Sequence, residues 1–182
     1  MSIVDTSTWE SFRVGDLFDV TGSKTTPKNA LHLDDAASYP YVTTQATDNG
    51  VFSRSDKYTE DGNVLTVDSA VIGSCFYQAE PFTASDHVEK LVPRFTMSDN
   101  VGLFLSCVMT KYAGYYDYSY AQKRSQTVLR NETILLPATS DGEPDWAYME
   151  TYMQQVLDRE EMFAEHLASL TAEAVADGRS RR

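Results

Sequence analysis

The sequence has no apolar run near the roughly 20 residues that a membrane-spanning helix needs, and its opening residues lack the basic-then-apolar order of a secretory leader. A soluble, cytoplasmic chain with no membrane partner is expected. Cysteine is scarce: Cys75 and Cys107 are far apart and sit inside apolar stretches, which favours buried free thiols over a disulfide or a redox pair. The three histidines, His32, His87 and His166, stand in unrelated contexts without His-x-x-x-His or Cys-x-x-Cys spacing, so no metal site is expected. Also missing are a glycine-rich phosphate loop, a Gly-x-Ser-x-Gly elbow, a convincing carboxylate pair and the Asn/Asp-Pro-Pro-aromatic motif of amino methyltransferases. Ser85-Asp86-His87 contains triad residue types, but sequence neighbours cannot face one another as a triad requires. Neither a catalytic centre nor a cofactor is expected.

Positive charge is short as well. The chain carries 15 Lys and Arg against 27 Asp and Glu, a net charge of −12, whereas nucleic-acid binders usually show a basic excess. The charges are segregated. Residues 141–182 hold ten Asp and Glu and four Arg, while residues 103–131 hold Lys111, Lys123, Arg124 and Arg130 against Asp117 alone.

What is present suits one folded core with an appended element: 182 residues, 42% of them hydrophobic, including 11 tyrosines. Tyr39 to Thr44, Val64 to Val67, Val71 to Phe76 and Thr133 to Leu136 read as strands. Asn49-Gly50 and Asp61-Gly62 are turn dipeptides. A helix from Leu103 to Tyr112 follows the cap candidates Ser98-Asp99-Asn100 and stops near Gly114. The fold class expected is α+β: one mixed, mainly antiparallel β domain with short helices over residues 1–142, then a long amphipathic helix within 143–182.

That helix is announced by the turn Ser140-Asp141-Gly142 and by Pro144, which suits a first helical turn. Met149, Val156, Phe163 and Leu170 recur every seven residues, and a second row holds Met153, Glu160, Leu167 and Ala174. Such a seam docks either on the chain's own domain or on a partner helix. About 30 helical residues extend ~45 Å, more than a domain of this size readily covers. Gly178-Arg179-Ser180-Arg181-Arg182 reads as a basic tail.

Between Tyr112 and Arg130, Tyr112, Tyr115, Tyr116, Tyr118 and Tyr120 interleave with Lys123 and Arg124 and precede Ser125, Gln126 and Thr127. These residue types contact nucleic acid, cations on phosphates, Gln, Ser or Thr on base edges, and rings on bases or sugars. Composition alone favours the plainer reading, half-buried tyrosines with wet hydroxyls among ordinary surface cations.

The order of segments tips the balance. Trp9-Glu10-Ser11-Phe12-Arg13-Val14-Gly15-Asp16-Leu17-Phe18, the polar turn Thr21-Gly22-Ser23-Lys24, and Tyr39-Pro40-Tyr41-Val42 with Asn49-Gly50-Val51 come first. Leu65-Thr66-Val67, Gly73-Ser74-Cys75-Phe76-Tyr77 and Asp86-His87-Val88-Glu89-Lys90-Leu91 follow, and Ile134-Leu135-Leu136-Pro137 with Gly142-Glu143-Pro144-Asp145-Trp146 close the series. Together they resemble the target-recognition domain of the specificity subunits of type I restriction-modification systems, and of single-recognition-domain partners in type IIB systems. No block is specific by itself, but five in one order cover nearly the whole chain.

The resemblance implies a non-catalytic, sequence-specific binder of double-stranded DNA that directs an adenine-N6 methyltransferase subunit, and with it a restriction subunit, to a target. Members usually carry two recognition domains and two long helices, so it further implies a half-size protein that pairs with a second copy or another recognition chain. From residue chemistry, Lys123 and Arg124 are the first candidate phosphate contacts, followed by Lys111, Lys24, Lys28, Arg54 and Lys57, with Thr44, Gln45 and Gln126 as candidate base readers. Met149, Met153, Val156, Phe163, Leu167 and Leu170 are the candidate partner-helix residues. The rival expectation, prompted by the acidity, is a DNA-mimicking or purely protein-binding relative of the same fold.

Overall fold

A computed structural model describes residues 5–116, 118–119 and 121–180, with side chains of the last helix described through Thr171. Tyr120, Asp117, Arg181 and Arg182 lie outside the described residues, as do the side chains of Ala174 and Arg179. In chain order the elements are β1 (Trp9–Arg13), α1 (Val14–Leu17), β2 (Phe18–Gly22), β3 (Tyr39–Val42), β4 (Val51–Ser55), β5 (Val64–Asp68), β6 (Cys75–Gln78), β7 (Thr83–Ala84), β8 (Val88–Pro93), α2 (Asp99–Ala113), α3 (Gln126–Asn131), β9 (Thr133–Pro137) and α4 (Trp146–Ser180).

The largest sheet has the order β2-β8-β5-β6 and is antiparallel throughout. All five residues of β5 are buried, as befits a strand with neighbours on both edges and cover on both faces. A smaller sheet, β4-β3-β7, contains one parallel pairing, Tyr41 with Thr83 and Val42 with Ala84. β1 pairs with β9, which joins the two ends of the globular part. The architecture is the expected α+β, mainly antiparallel domain with a long C-terminal helix.

Two clusters hold the layers together. The main one joins Phe18, Leu65, Leu91, Leu105, Met109, Leu129, Ile134 and Leu136 beneath α2. A minor one, Val42, Val64, Phe82, Ala84 and Val88, seats the small sheet on the large one. Helix α2 begins where the Ser98 hydroxyl accepts the Val101 N–H, a side-chain N-cap, and it ends at Gly114. Gly102 lets α2 approach Tyr77: a Cβ there would stand 2.5 Å from the ring.

The strand expected over Val71 to Phe76 forms only from Cys75 onward. The Asp68 carboxylate, at the end of β5, accepts the N–H groups of Ala70, Val71, Ile72 and Gly73, curling that segment into a turn. Gly73 sits there at φ 74°, where glycine carries little strain. Once a nearby carboxylate satisfies four successive donors, no sheet ladder competes for them.

Cys75 is buried, and burial pushes its thiol up to about 12. Cys107 is exposed, which corrects the expectation that both thiols are buried: it falls on the outer face of α2, whose inner face carries Phe104, Leu105 and Met109.

Helix α4 is docked over its first turns and exposed beyond them. Met149 and Met153 lie in the main core, Trp146 stacks on Phe95 with ring centroids 4.0 Å apart, and Asn100 bonds Glu150 and Gln154. The helix cap is Asp145, which accepts the Tyr148 N–H, with Pro144 just outside. From Leu157 to Thr171 every residue is exposed.

Candidate nucleic-acid interface

The polar candidates fall on two separate regions, each placed by the turns that leave the large sheet. After β2 the chain runs out along the small sheet. The buried Glu60 carboxylate accepts the Lys24 N–H at 2.7 Å and pairs with Lys90, while Thr26 N–H donates to Ala84 O at 2.8 Å. This run forms one wall of a groove of about 460 Å³, which Lys28, Tyr41, Thr43, Thr44 and Asp86 also line. Lys24 and Lys28 are exposed, Thr44 is half-buried, and Lys28 Nζ stands 3.3 Å from the centroid of the Phe52 ring. A cation over an aromatic face is held in place while its charge stays outward. Lys57 is exposed nearby, and its carbonyl accepts the Thr83 hydroxyl.

Two further candidates in this region are committed to the fold. Arg54 donates to the Ala37 and Ser38 carbonyls and pairs with Glu80 at 3.2 Å, so it latches the 34–38 loop. Gln45 donates its amide to Thr47 O, Asp48 Oδ2 and Val51 O, which closes the turn around Asn49 and Gly50.

The second region joins the 69–74 turn, the C-terminal end of α2 and the segment leading to α3. Here the structure contradicts one of the two leading candidates, Arg124. Arg124 is 0% exposed. Its Nε and Nη2 donate to Glu132 Oε1 and Oε2 at 2.9 and 2.6 Å, and Nη1 donates to Gly73 O at 2.6 Å. Tyr118 completes the cluster by donating its hydroxyl to Glu132 Oε1 at 2.7 Å. Burial by itself lowers the Arg124 pKa, and the Glu132 carboxylate more than offsets this, leaving it raised. A guanidinium without exposed surface and with every nitrogen engaged is a clamp between two loops, not a phosphate contact.

The other members of this region divide. Lys111 is exposed in the last turn of α2, and Lys123 is half-buried beside Arg124. Gln126 has both ends of its amide engaged, donating to Glu89 and accepting from Arg130. Among the tyrosines, Tyr112 accepts the Leu135 N–H and Tyr118 serves Glu132, while Tyr115 and Tyr116 are exposed. The tyrosine run is therefore part framework and part surface. Sequence reasoning missed Glu132, although an arginine eight residues before an acid across a short helix was a weak signal for a pair.

On α4 the seam divides in the same way. Met149 and Met153 are buried within this chain and so are not partner contacts, and Val156 is half-buried at the boundary. Phe163, Leu167 and Leu170 are exposed, as are Leu157 and Met162. Among the described residues, no group of three or more His, Cys, Asp or Glu is placed to hold a metal, and no helix is long and apolar enough to cross a membrane.

An α+β domain that feeds a long, half-docked helix defines a fold, and comparison with known families supplies its class. The chain belongs to the family of the type I restriction modification DNA specificity domain, whose model matches residues 6–161. Among curated relatives it is similar to S.BcgI, the specificity subunit of a type II restriction enzyme from Heyndrickxia coagulans, with 28% identity over 152 residues, 81% of this chain and 43% of that one. Among solved structures it shares the fold of a type I restriction-modification S subunit from M. genitalium, with TM-score 0.57, 14% identity, and coverage of 91% of this chain and 43% of that one. The HsdS subunit from Thermoanaerobacter tengcongensis is similar at TM-score 0.55 and 16% identity, over 84% of this chain and 38% of that one. The chain thus spans less than half the length of each of these relatives.

Proposed function

We propose that this chain acts as a DNA-specificity module of a restriction-modification system: its globular part, residues 1–142, reads a short half-site on duplex DNA, and the helix within residues 143–182 assembles it with its partners. The observation that carries this reading is the family match, which runs without a break from β1 into the exposed part of α4. The partners are an adenine-N6 methyltransferase subunit, a restriction subunit, and a second specificity chain, in the simplest case another copy. Catalysis resides in those partners, and the assembly works in the cytoplasm, where the DNA is.

The geometry supports a division of labour. Lys24, Lys28 and Lys57 on the small-sheet side and Lys111 at the end of α2 are the cations with exposed side chains among the candidates, so they take the phosphates. Thr44, which lines the groove, is the candidate base reader on this side, whereas Gln45 is held by its own turn. The exposed apolar residues Met162, Phe163, Leu167 and Leu170 take the partner helix, and the acids Asp158, Glu160, Glu161 and Glu165 lie on α4, none of them lining the groove. With few cations and a net charge of −12, affinity of the chain alone is weak, and it falls with salt by a slope that counts the few phosphates these lysines neutralise.

Selection of random duplexes by the purified chain, with and without a candidate methyltransferase subunit and at two salt concentrations, tests the reading. A short enriched motif that requires the partner is expected. Tight partner binding without enrichment in any condition would assign the chain instead to a protein-binding or DNA-mimicking role.

A further inference from the structure

The turn Ser85-Asp86-His87 carries the chain from β7 in the small sheet to β8 in the large one, and it is pinned by three other segments. Ser85 N–H donates to Val42 O at 2.9 Å, the Ser69 N–H and hydroxyl donate to His87 O at 2.9 and 3.0 Å, and the Ser23 hydroxyl donates to Val88 O at 2.7 Å. His87 sits at φ 61°, a left-handed conformation uncommon for residues other than glycine. A turn held in this way presents its middle residue, Asp86, in one place. The Asp86 side chain is 71% exposed and lines the groove that also holds Lys28, Thr43 and Thr44.

Its charge is at odds with the groove's surroundings. Among the described residues that line the groove, Lys28 and Asp86 carry charge, and the others are hydroxyl-bearing side chains and a proline. A carboxylate beside lysines that take phosphates repels the same phosphates, so as a mere surface group it opposes the binding of DNA. The neighbouring ring does not cover it: His87 Nε2 lies 3.6 Å from Asp86 Oδ2, and the carboxylate stays open to approach from solvent.

Duplex DNA offers a carboxylate one favourable kind of partner, the exocyclic amino groups of the bases. In the major groove these are adenine N6 and cytosine N4. The adenine amino group stands beside N7, an acceptor that repels a carboxylate, whereas the cytosine amino group has a C–H as its neighbour on the same base. The minor groove offers guanine N2, but at about 6 Å wide it would bring the carboxylate close to both rows of phosphates. We infer that Asp86 is a specificity-determining residue that selects cytosine, its carboxylate accepting the N4 amino group in the major groove. This inference rests on the DNA-reading function proposed above and names one base of the half-site.

The test uses the full chain with its methyltransferase subunit, and selects random duplexes with the parent, Asp86→Ala and Asp86→Asn proteins. The parent motif is expected to hold one cytosine that Asp86→Ala leaves undetermined, with every other position kept. Asp86→Asn should turn that position towards adenine, because an amide matches N6 and N7 together. Replacing the cytosine by 2-pyrimidinone, which lacks only the amino group, should weaken parent binding on the order of tenfold and leave Asp86→Ala binding unchanged. 5-Methylcytosine keeps the amino group and should bind as cytosine does. Asp86→Ala should also bind scrambled duplexes more tightly, since a repulsive charge is gone, and it should keep the parent's melting temperature, since the side chain is exposed.

An Asp86→Ala motif identical to the parent's, even with tighter binding throughout, makes Asp86 a bystander; it overturns the inference and leaves the DNA reading standing. So does an Asp86-dependent position that senses the replacement of guanine by inosine, which lacks the N2 amino group, in place of the loss of cytosine N4, because the carboxylate would then lie in the minor groove. Failure to select any motif removes the proposed function and this inference together.

Discussion

Replacing Glu132 by glutamine is expected to destabilise the domain severely, because it leaves the fully buried Arg124 without a counter-charge. Removing one partner of a buried ion pair costs roughly 3–5 kcal/mol. For a chain of this length each kcal/mol shifts the melting temperature by about 2–4 °C, so a fall of roughly 6–20 °C follows. Domains are stable by only about 5–15 kcal/mol in total, which makes this loss large. Arg124→Met combined with Glu132→Gln removes both charges while leaving an amide acceptor for the Tyr118 hydroxyl, and it should recover much of the loss. The assay is urea and thermal unfolding followed by circular dichroism, with all three proteins compared at one pH. A Glu132→Gln protein within about 1 kcal/mol of the parent would refute the clamp. So would an Arg124→Ala protein that keeps its stability but loses only DNA binding, since that pattern belongs to an exposed phosphate contact.

Met149→Ala should cost about 2–5 kcal/mol by emptying a core position, whereas Phe163→Ala, at a residue 59% exposed, should change the stability of the isolated chain by under about 0.5 kcal/mol. Thiol titration of the native protein near pH 8 should modify Cys107 alone, because Cys75 is buried with its thiol pushed up to about 12; two reactive thiols before denaturation would contradict the packing under α2. Neutralising Lys24, Lys28 and Lys57 together should lower the slope of log affinity against log salt by about 0.9 for each phosphate no longer neutralised, and weaken binding to all duplexes alike, as measured by anisotropy.

The elements legible in the sequence were those with a local signal. Helix α2 had a serine cap, a continuous apolar face and a glycine stop, and α4 had a heptad, so each was found close to its true place. The run Val71 to Phe76 looked like a strand because its residue types suit one, yet its first half is governed by Asp68, whose carboxylate captures the backbone donors. Hydrophobic pattern carries no information about that competition. The same limit applied to the site: Arg124 has the composition of a phosphate contact, and only the tertiary approach of Gly73 and Glu132 turns it into a clamp.

The most direct test of the account is the specificity ratio: the affinity of the chain, assembled with a methyltransferase subunit, for its selected duplex divided by that for a scrambled duplex at the same salt. A sequence-reading subunit predicts a ratio on the order of 10³ or more, diminished at single positions by base changes. A ratio near one, with the methyltransferase still bound along α4, would contradict it.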